Sequence, residues 1–439
     1  MYEAKLNSAL EALTAPFFYG TKTMRIRIMG NSSDAKESTE EKPPYLAEVT
    51  VMTELGEMIG AMMGLDTVLK DSMPIKENID IQIPCTLFFN CLRTLKKYEG
   101  DIWLRWEEDA NEMTLSNDEY EIEYHVPFDK GLVPKINFAE ENGCAHIYAS
   151  LTDIRKGLSA AASIVANDQL HAYVKEDRLY LYGTSSGGSS MLVRAAARVY
   201  NAKATGDYSG YIVDGKGVAI EDGKNENYLS FLIPSTAQKI LSGVEQASDK
   251  ITINVTSKKI AIRFSTMVYV GAVAPVKITS ASIERIASGE PKENGDTKDV
   301  KRLIVKKSDL SATLELCNTQ VNNLERMYHD KNVYQLELYP KEGKIRMMDG
   351  SVVPFWCCET EMIQSGTVLY ISSKMLLKCV SIWTKELVYI KIGDVVGKNS
   401  QLLYLTDSPD TDELKVWLAT AVKEVAENNK KNFQEKLGE

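Results

Sequence analysis

His125, His146, His171 and His329 are the only histidines in 439 residues, and none stands in the HxH, HExxH or His–Cys spacing that gathers a metal ion. His146 and His171 alternate with apolar residues along strand-like runs, which reads as structural. The seven cysteines, Cys85, Cys91, Cys144, Cys317, Cys357, Cys358 and Cys379, form no CxxC pair. Most lie inside apolar runs, so they read as reduced core thiols rather than a disulfide or zinc framework. Two glycine-bearing stretches resemble phosphate cradles. GTSSGGSS at 183–190 lacks a following lysine and lies between strands, which makes it a hairpin loop, and GDVVGKNS at 393–400 is one residue short of a P-loop and precedes no helix. Glu107, Glu108 and Asp109 share a turn, where a solvated run of charge is the default over an acid–base pair. These features argue against an enzyme and imply neither cofactor nor metal.

Lysines and arginines carry the remaining chemical signal. The chain has 51 basic and 61 acidic residues, a net charge of −10, which excludes broad electrostatic wrapping of nucleic acid and leaves only local or topological contact. Even so, Arg93, Lys96, Lys97, Arg155, Lys156, Lys239, Lys374, Lys378 and Lys385 all fall on helix-like segments of one recurring unit. Each alone is an ordinary solvated helix residue. Their recurrence on the same element suggests helices that present a positive face to phosphates, positioning a duplex without reading bases.

The element that carries them is a short apolar strand, a Ser, Thr, Asp or Pro punctuation, an amphipathic helix and a run of alternating strands. NIDIQI leads into Pro84 and CTLFFNCLRTLKKY; AHIYA into SLTDIRKGLSAAASIV; YLSFLI into Pro234 and STAQKILSGVEQA; KRLIV into KKSDLSATLELCNTQVNNL; and TVLYI into SSKMLLKCVSIWTKEL. Starts at Pro84, Thr152, Pro234, Asp309 and Ser373 are 68, 82, 75 and 64 residues apart, a period suited to paired units that build pseudo-symmetric domains. Each start offers a side chain able to satisfy free amide groups, or a proline that presets the first turn. Leu87, Cys91, Leu92 and Leu95 make one apolar stripe on the first of these helices, and Leu376, Leu377, Val380 and Trp383 repeat it on the last. Ile251, Ile253, Val255, Leu336 and Leu338 alternate as half-buried antiparallel strands. The fold class expected is α+β, with helices on one face of the sheets.

Polar, breaker-rich segments at 31–44, 214–227 and 288–299 read as loops or linkers, and the prolines at 127 and 134 mark an extended connector. The expected division is 1–135, with insertions at 31–44 and 54–73, then 136–287, 288–408 and a helical extension at 409–439. The first repeat helix would be LNSALEAL, and ELGEMIGAMMGLDTVLKDSM at 54–73 reads as an amphipathic, packed insertion with acidic rather than basic polar positions. MYEAKLNSAL lacks a signal-peptide pattern and no window reaches 18 uncharged apolar residues, so a cytoplasmic, or at least intracellular, protein with no membrane contact is expected.

Six such units in three tandem domains resemble the bacterial-type DNA polymerase sliding clamp, the beta subunit family. The most specific pieces are YLSFLIPSTAQKILSGVEQASDKITINVTSKKIAIRF, DVKRLIVKKSDLSATLELC and LHAYVKEDRLYLYGTSSGGSSMLVRA. The resemblance implies a DNA clamp fold, a head-to-tail homodimer ring lined by helices, duplex DNA held topologically, and polymerase and clamp loader bound through short peptide motifs. Carried over by position, Thr184, Met191 or Leu192, and Pro234 match the wall of the partner-peptide cleft, with Leu403, Tyr404 and Leu405 on the strand near the end. The chain departs from the family by continuing through SPDTDELKVWLATAVKEVAENNKKNFQEKLGE, read as a helix with Val416, Trp417, Leu418 and Val422 on its apolar face, and by Gln238 or Lys239 where an aliphatic residue is usual. These departures and the long loops suggest a phage or mobile-element version. The competing reading is a β-rich, virion-type scaffold protein that oligomerises without tethering to DNA.

Overall fold

The computed structural model describes residues 2–6, 23–28, 45–53, 56–65, 79–107, 109–130, 142–165, 170–185, 191–222, 225–244, 248–264, 267–291, 300–328, 335–396, 400–408 and 413–438. Within them are seven α-helices: α1 (Cys85–Leu95), α2 (Leu151–Ala162), α3 (Ser235–Gly243), α4 (Ser280–Ser288), α5 (Lys307–Tyr328), α6 (Ser373–Ser381) and α7 (Lys423–Gly438). Five of them open within two residues of the starts expected from the repeat. Pro84 and Pro234 occupy N-cap positions, and the Ser372 hydroxyl accepts the Met375 amide at the head of α6. The segments LNSALEAL and 31–44 lie outside the described residues.

The chain divides into two compact units, one of 1–151, 200–214 and 234–274, the other of 152–199, 215–233 and 275–439. The first is organised by an antiparallel sheet that runs, strand to neighbouring strand, through Asp129–Lys130, Ile79–Pro84, Thr23–Ile28, Tyr45–Met52, Met58–Leu65, Met267–Ala272, Lys259–Arg263, Lys250–Val255 and Ala145–Ser150. A separate sheet joins Tyr2–Lys5, Ile102–Trp106, Glu112–Asn117 and Ile122–Pro127. The second unit repeats this plan. One run of strands passes through Ser230–Leu232, His171–Lys175, Arg178–Thr184, the 191–199 part of Met191–Ala204, Leu414–Ala421, Ser400–Thr406, Leu387–Val396, Arg302–Lys306 and Glu359–Glu361. A branch joins Val352–Pro354, Lys344–Arg346, Gln335–Tyr339 and Leu369–Ser372.

Three expectations are corrected. Residues 58–65 are a strand bonded to 45–52 and 267–272, not an amphipathic insertion: MIGAMMGL carries no charge, and pairing on both edges satisfies its backbone. Residues 414–421 are likewise a strand, inserted between 191–195 and 400–405: LKVWLATA is a short apolar run whose Val416, Trp417 and Leu418 are buried on both faces of the sheet, and α7 begins only after it. On α1 the inward stripe is Cys85, Phe88, Phe89, Cys91, Leu92 and Leu95, whereas Leu87 is exposed. The helix buries the two phenylalanines, larger apolar surfaces than a leucine, and Leu87 rotates outward as a result.

Buried polar contacts fix the ends of these strands. In the first unit Glu57 is nearly enclosed, and its carboxylate accepts hydroxyl bonds from Tyr269 (2.6 Å), Thr236 (2.6 Å) and Thr53 (3.2 Å). It ties the turn before 58–65 to the first turn of α3. Glu57→Ala leaves those hydroxyls without an acceptor, and a loss of about 1–3 kcal/mol is expected, read as a lower urea midpoint, with Glu57→Gln closer to wild type.

A candidate duplex-facing set and a strapped aromatic face

Alternation along a strand assigns each residue of the second unit's sheet to one of two faces. Met191, Val193 and Ala195 pair with Leu418, Val416 and Leu414, and Leu403 and Leu405 with Leu418 and Val416. This is the helix face. Gly157 of α2 lies against Leu181 and Ala195, close enough that an added Cβ would come 2.8 Å from Leu181, and Cys379 of α6 contacts the Met191 sulfur at 3.6 Å. Thr184, Leu192, Arg194, Tyr404 and Trp417 belong to the opposite face.

The alternation therefore divides the residues matched to the partner cleft. Thr184, Leu192 and Tyr404 share one face; Met191, Leu403 and Leu405 lie on the other, in the core beneath the helices. Pro234 is the N-cap of α3 in the first unit. Around Leu192 and Tyr404 gather Tyr173, Tyr180, Tyr182, Ile283 and Trp417, all buried. Sequence reasoning missed Trp417 by placing it on a helix; the short apolar, strand-length run LKVWLATA was the signal that could have found it. It missed the tyrosines too, although Tyr180 and Tyr182 alternate in the run LYLYG and face Tyr173 across the hairpin that the structure shows.

This face carries buried charge. The Arg194 guanidinium, 4% exposed, bonds Glu284 of α4 at 3.2 Å and the Tyr173 hydroxyl at 3.3 Å, and lies over the rings of Tyr180 and Trp417 at 4.5 and 5.5 Å. Tyr173 donates its hydroxyl to Glu284, and Lys175 reaches the other carboxylate oxygen at 2.7 Å. A second carboxylate, Glu290, takes Lys391 at 3.1 Å and Lys415 at 2.7 Å. His171, fully buried, stacks on Tyr182 and accepts the Lys277 amide through Nε2, which places its proton on Nδ1. His146 bonds Asn254 at 2.9 Å in the first unit, and His329 lies outside the described residues.

On the helices, Arg93, Lys96, Lys97 and Lys239 of the first unit are exposed, as are Lys156 and Lys378 of the second; Arg155 and Lys374 are half-buried. Lys96 and Lys97 continue from the end of α1. Lys385 is exposed but sits in the turn after α6, paired with Asp407 at 3.7 Å, not on a helix as the repeat implied. Lys374 pairs with Glu325 and Lys156 lies 3.9 Å from Asp153, so several of these charges are partly offset by acidic neighbours. Among the described residues no group of three His, Cys, Asp or Glu side chains could hold a metal ion.

No family model matches this chain, and no curated protein does. Solved structures match it from end to end. The DNA polymerase III beta subunit of Thermotoga maritima is 11% identical over 96% of this chain and 99% of its own, with a TM-score of 0.64. A sliding clamp from Pseudomonas aeruginosa bound to griselimycin is 10% identical over 96% and 99% (TM-score 0.64). The Helicobacter pylori beta clamp bound to a DNA ligase peptide is 8% identical over 96% and 100% (TM-score 0.62). The chain has an α+β DNA clamp fold. Within that class its strands and helices follow the bacterial DNA polymerase III beta subunit.

Burial sets the behaviour of the thiols and phenols. It pushes Cys317 up to about 11 and Cys379 to about 12, and Cys357 to about 12 with the adjacent Cys358 adding a little; Tyr339 reaches about 12, and Tyr173, Tyr182 and Tyr269 are also raised. Cys358 alone among the cysteines is exposed. Unfolded thiols and phenols ionise from 9.0 and 10.0, before their folded counterparts. The stability they lend is complete below those values and falls as pH rises toward 12. The urea midpoint should drop over that range, and at pH 8 a thiol reagent should label Cys358 rapidly and the buried cysteines only on unfolding.

Proposed function

We propose that this protein is a ring-shaped DNA sliding clamp, a non-catalytic processivity factor that encircles duplex DNA and tethers a replicative polymerase. The observation that carries the reading is the end-to-end correspondence in fold with sliding clamps. The exposed lysines and arginines on or beside α1, α2, α3 and α6 support it, because a topological link needs few phosphate contacts and tolerates a net charge of −10. The proposed organisation is three domains per chain, near 1–135, 136–287 and 288–408, with the last strand and α7 completing the third. Two chains then give six domains by head-to-tail closure.

Two free sheet edges suit that closure. In the first unit the strand Ile122–Pro127 is bonded only to 112–117 among the described residues, beside the exposed rings of Tyr98 and Tyr120 and the acidic residues Asp118, Glu119, Glu121 and Glu123. In the second, Val352–Pro354 is bonded only to 344–346 among the described residues. Trp356, 68% exposed, follows it, with Lys344 and Arg346 on the adjoining strand. Opposite charge and open backbone on both edges fit them to pair between chains. Partner segments, and a clamp loader, would meet the face of Thr184, Leu192, Tyr404 and Trp417; the Helicobacter clamp binds a ligase peptide, which supports peptide recognition as the mode. Such a protein works in the cytoplasm, on the nucleoid.

The deciding experiment is retention on nicked circular DNA before and after linearisation, with a loader supplied. A clamp stays on circles and leaves linear ends; indifference to DNA shape favours the scaffold reading. Replacing Arg93, Lys96, Lys374 and Lys378 together by alanine should lower retention while the fold survives: Arg93, Lys96 and Lys378 are exposed, where substitutions usually change stability by no more than about 0.5 kcal/mol, and half-buried Lys374 gives up one surface ion pair with Glu325. Trp356→Asp should halve the mass measured by light scattering.

A further inference from the structure

We propose that α4 and its flanks, residues 276–290, form a strap that closes the aromatic face of the second unit in cis, and that an acidic amphipathic segment of a partner docks there by taking its place. The inference rests on the clamp reading only for the identity of that partner as a replication protein.

The strap is held mainly by polar clasps. At its start the Lys277 amide donates to His171, and the Tyr182 hydroxyl donates to the Ile278 carbonyl at 2.6 Å. Thr279 caps the helix, and Ser280 accepts the Tyr228 amide at 2.9 Å. In its middle Glu284 meets Lys175, Arg194 and Tyr173, and at its end Glu290 meets Lys391 and Lys415. Its apolar grip is small. Ile283 is the one aliphatic side chain of α4 that is fully buried, with Ile286 and Ala287 half-buried beside it. By contrast, α2 buries Leu151, Ile154, Leu158, Ala160 and Ala161. An element fixed by ion pairs, whose Coulomb gain is largely offset by desolvation, and by one fully buried aliphatic side chain with Ile278, Ile286 and Ala287 only half-buried around it belongs to the low-stability part of a fold.

What it covers is suited to more than solvent exclusion. Tyr173, Tyr182, Leu192, Tyr404 and Trp417 make an apolar centre flanked by four cations, Lys175, Arg194, Lys391 and Lys415. The Trp417 indole N–H, buried in the same face, has no hydrogen-bond acceptor among the described atoms and is a donor that an incoming segment could use. Aromatic and arginine side chains at the centre of a desolvated patch are the usual anchors of recognition, and an aliphatic residue followed by a carboxylate matches them. In cis, that pattern is Ile283 followed by Glu284, with Glu290 beyond.

The test uses the full chain and a fluorescent synthetic copy of residues 276–291. In wild-type protein the strap's amides should exchange with deuterium faster than those of 191–195. The double variant Glu284→Gln, Glu290→Gln should expose them further and bind the peptide about tenfold more tightly than wild type does, with the peptide's own two glutamates required. Unchanged exchange in α6 and in 191–195 shows that the variant is folded. If the wild-type strap exchanges no faster than 191–195, or the peptide binds neither protein, the proposal is overturned. Retention on circular DNA, measured separately, fails or succeeds independently of strap opening, so the two readings can be lost one at a time.

Discussion

Each unit depends on one seam of backbone hydrogen bonds between strands distant in the chain. In the first, 58–61 pairs with 267–270; in the second, 191–195 pairs with 414–418. A strand left at an edge presents a row of unsatisfied amides and carbonyls, and each seam removes two such edges at once by making one sheet of what would be two. Closing the seam also aligns the helix faces of the strands on either side. α2 and α6 can then share the core over Met191, Leu181 and Leu418, and the basic residues of both helices are carried on the same side of the second unit's sheet. Its far side is left for the tyrosines, Trp417 and the buried ion pairs.

The repeat was legible because its punctuation is chemical. Proline or a small hydroxyl residue before an amphipathic run fixes a helix start whatever the tertiary context, and Pro84, Pro234 and Ser372 all proved to be caps. Segments 58–65 and 414–421 were harder. MIGAMMGL has no polar punctuation to set a period, and the short apolar run LKVWLATA was outweighed by the strongly helical run that follows it. Each has one neighbour close in sequence, but its other edge is paired by a strand about 200 residues away, 267–270 or 191–195, which local propensity does not register. The same limit explains the candidate cleft. Its strand near the end was recognised, but alternation turns Leu403 and Leu405 away from Tyr404, and the strand beyond it supplies Trp417.

Charge placement shows a similar division. The lysines and arginines of the repeated helices could be listed from sequence, but the acidic neighbours that temper Lys374 and Lys385, Glu325 and Asp407, come from other elements. Arg194 illustrates the converse. In a run of alanines and valines it reads as an odd charge in a strand, and only the strap's Glu284 and the rings of Tyr180 and Trp417 make its burial tolerable.

The position of the 414–421 strand has a consequence for biogenesis. Residues 191–195 leave the ribosome long before their neighbour exists, because the strand that will cover them is made more than 200 residues later. Throughout that interval Met191, Val193 and Ala195 line an open, apolar edge with no local substitute. Nascent chains in this state are candidates for chaperone capture or for pairing with another copy's edge, and truncation before residue 414 would make that exposure permanent. The second unit therefore completes its sheet only after synthesis reaches that strand, whereas every strand of the first unit's sheet has been made by residue 272.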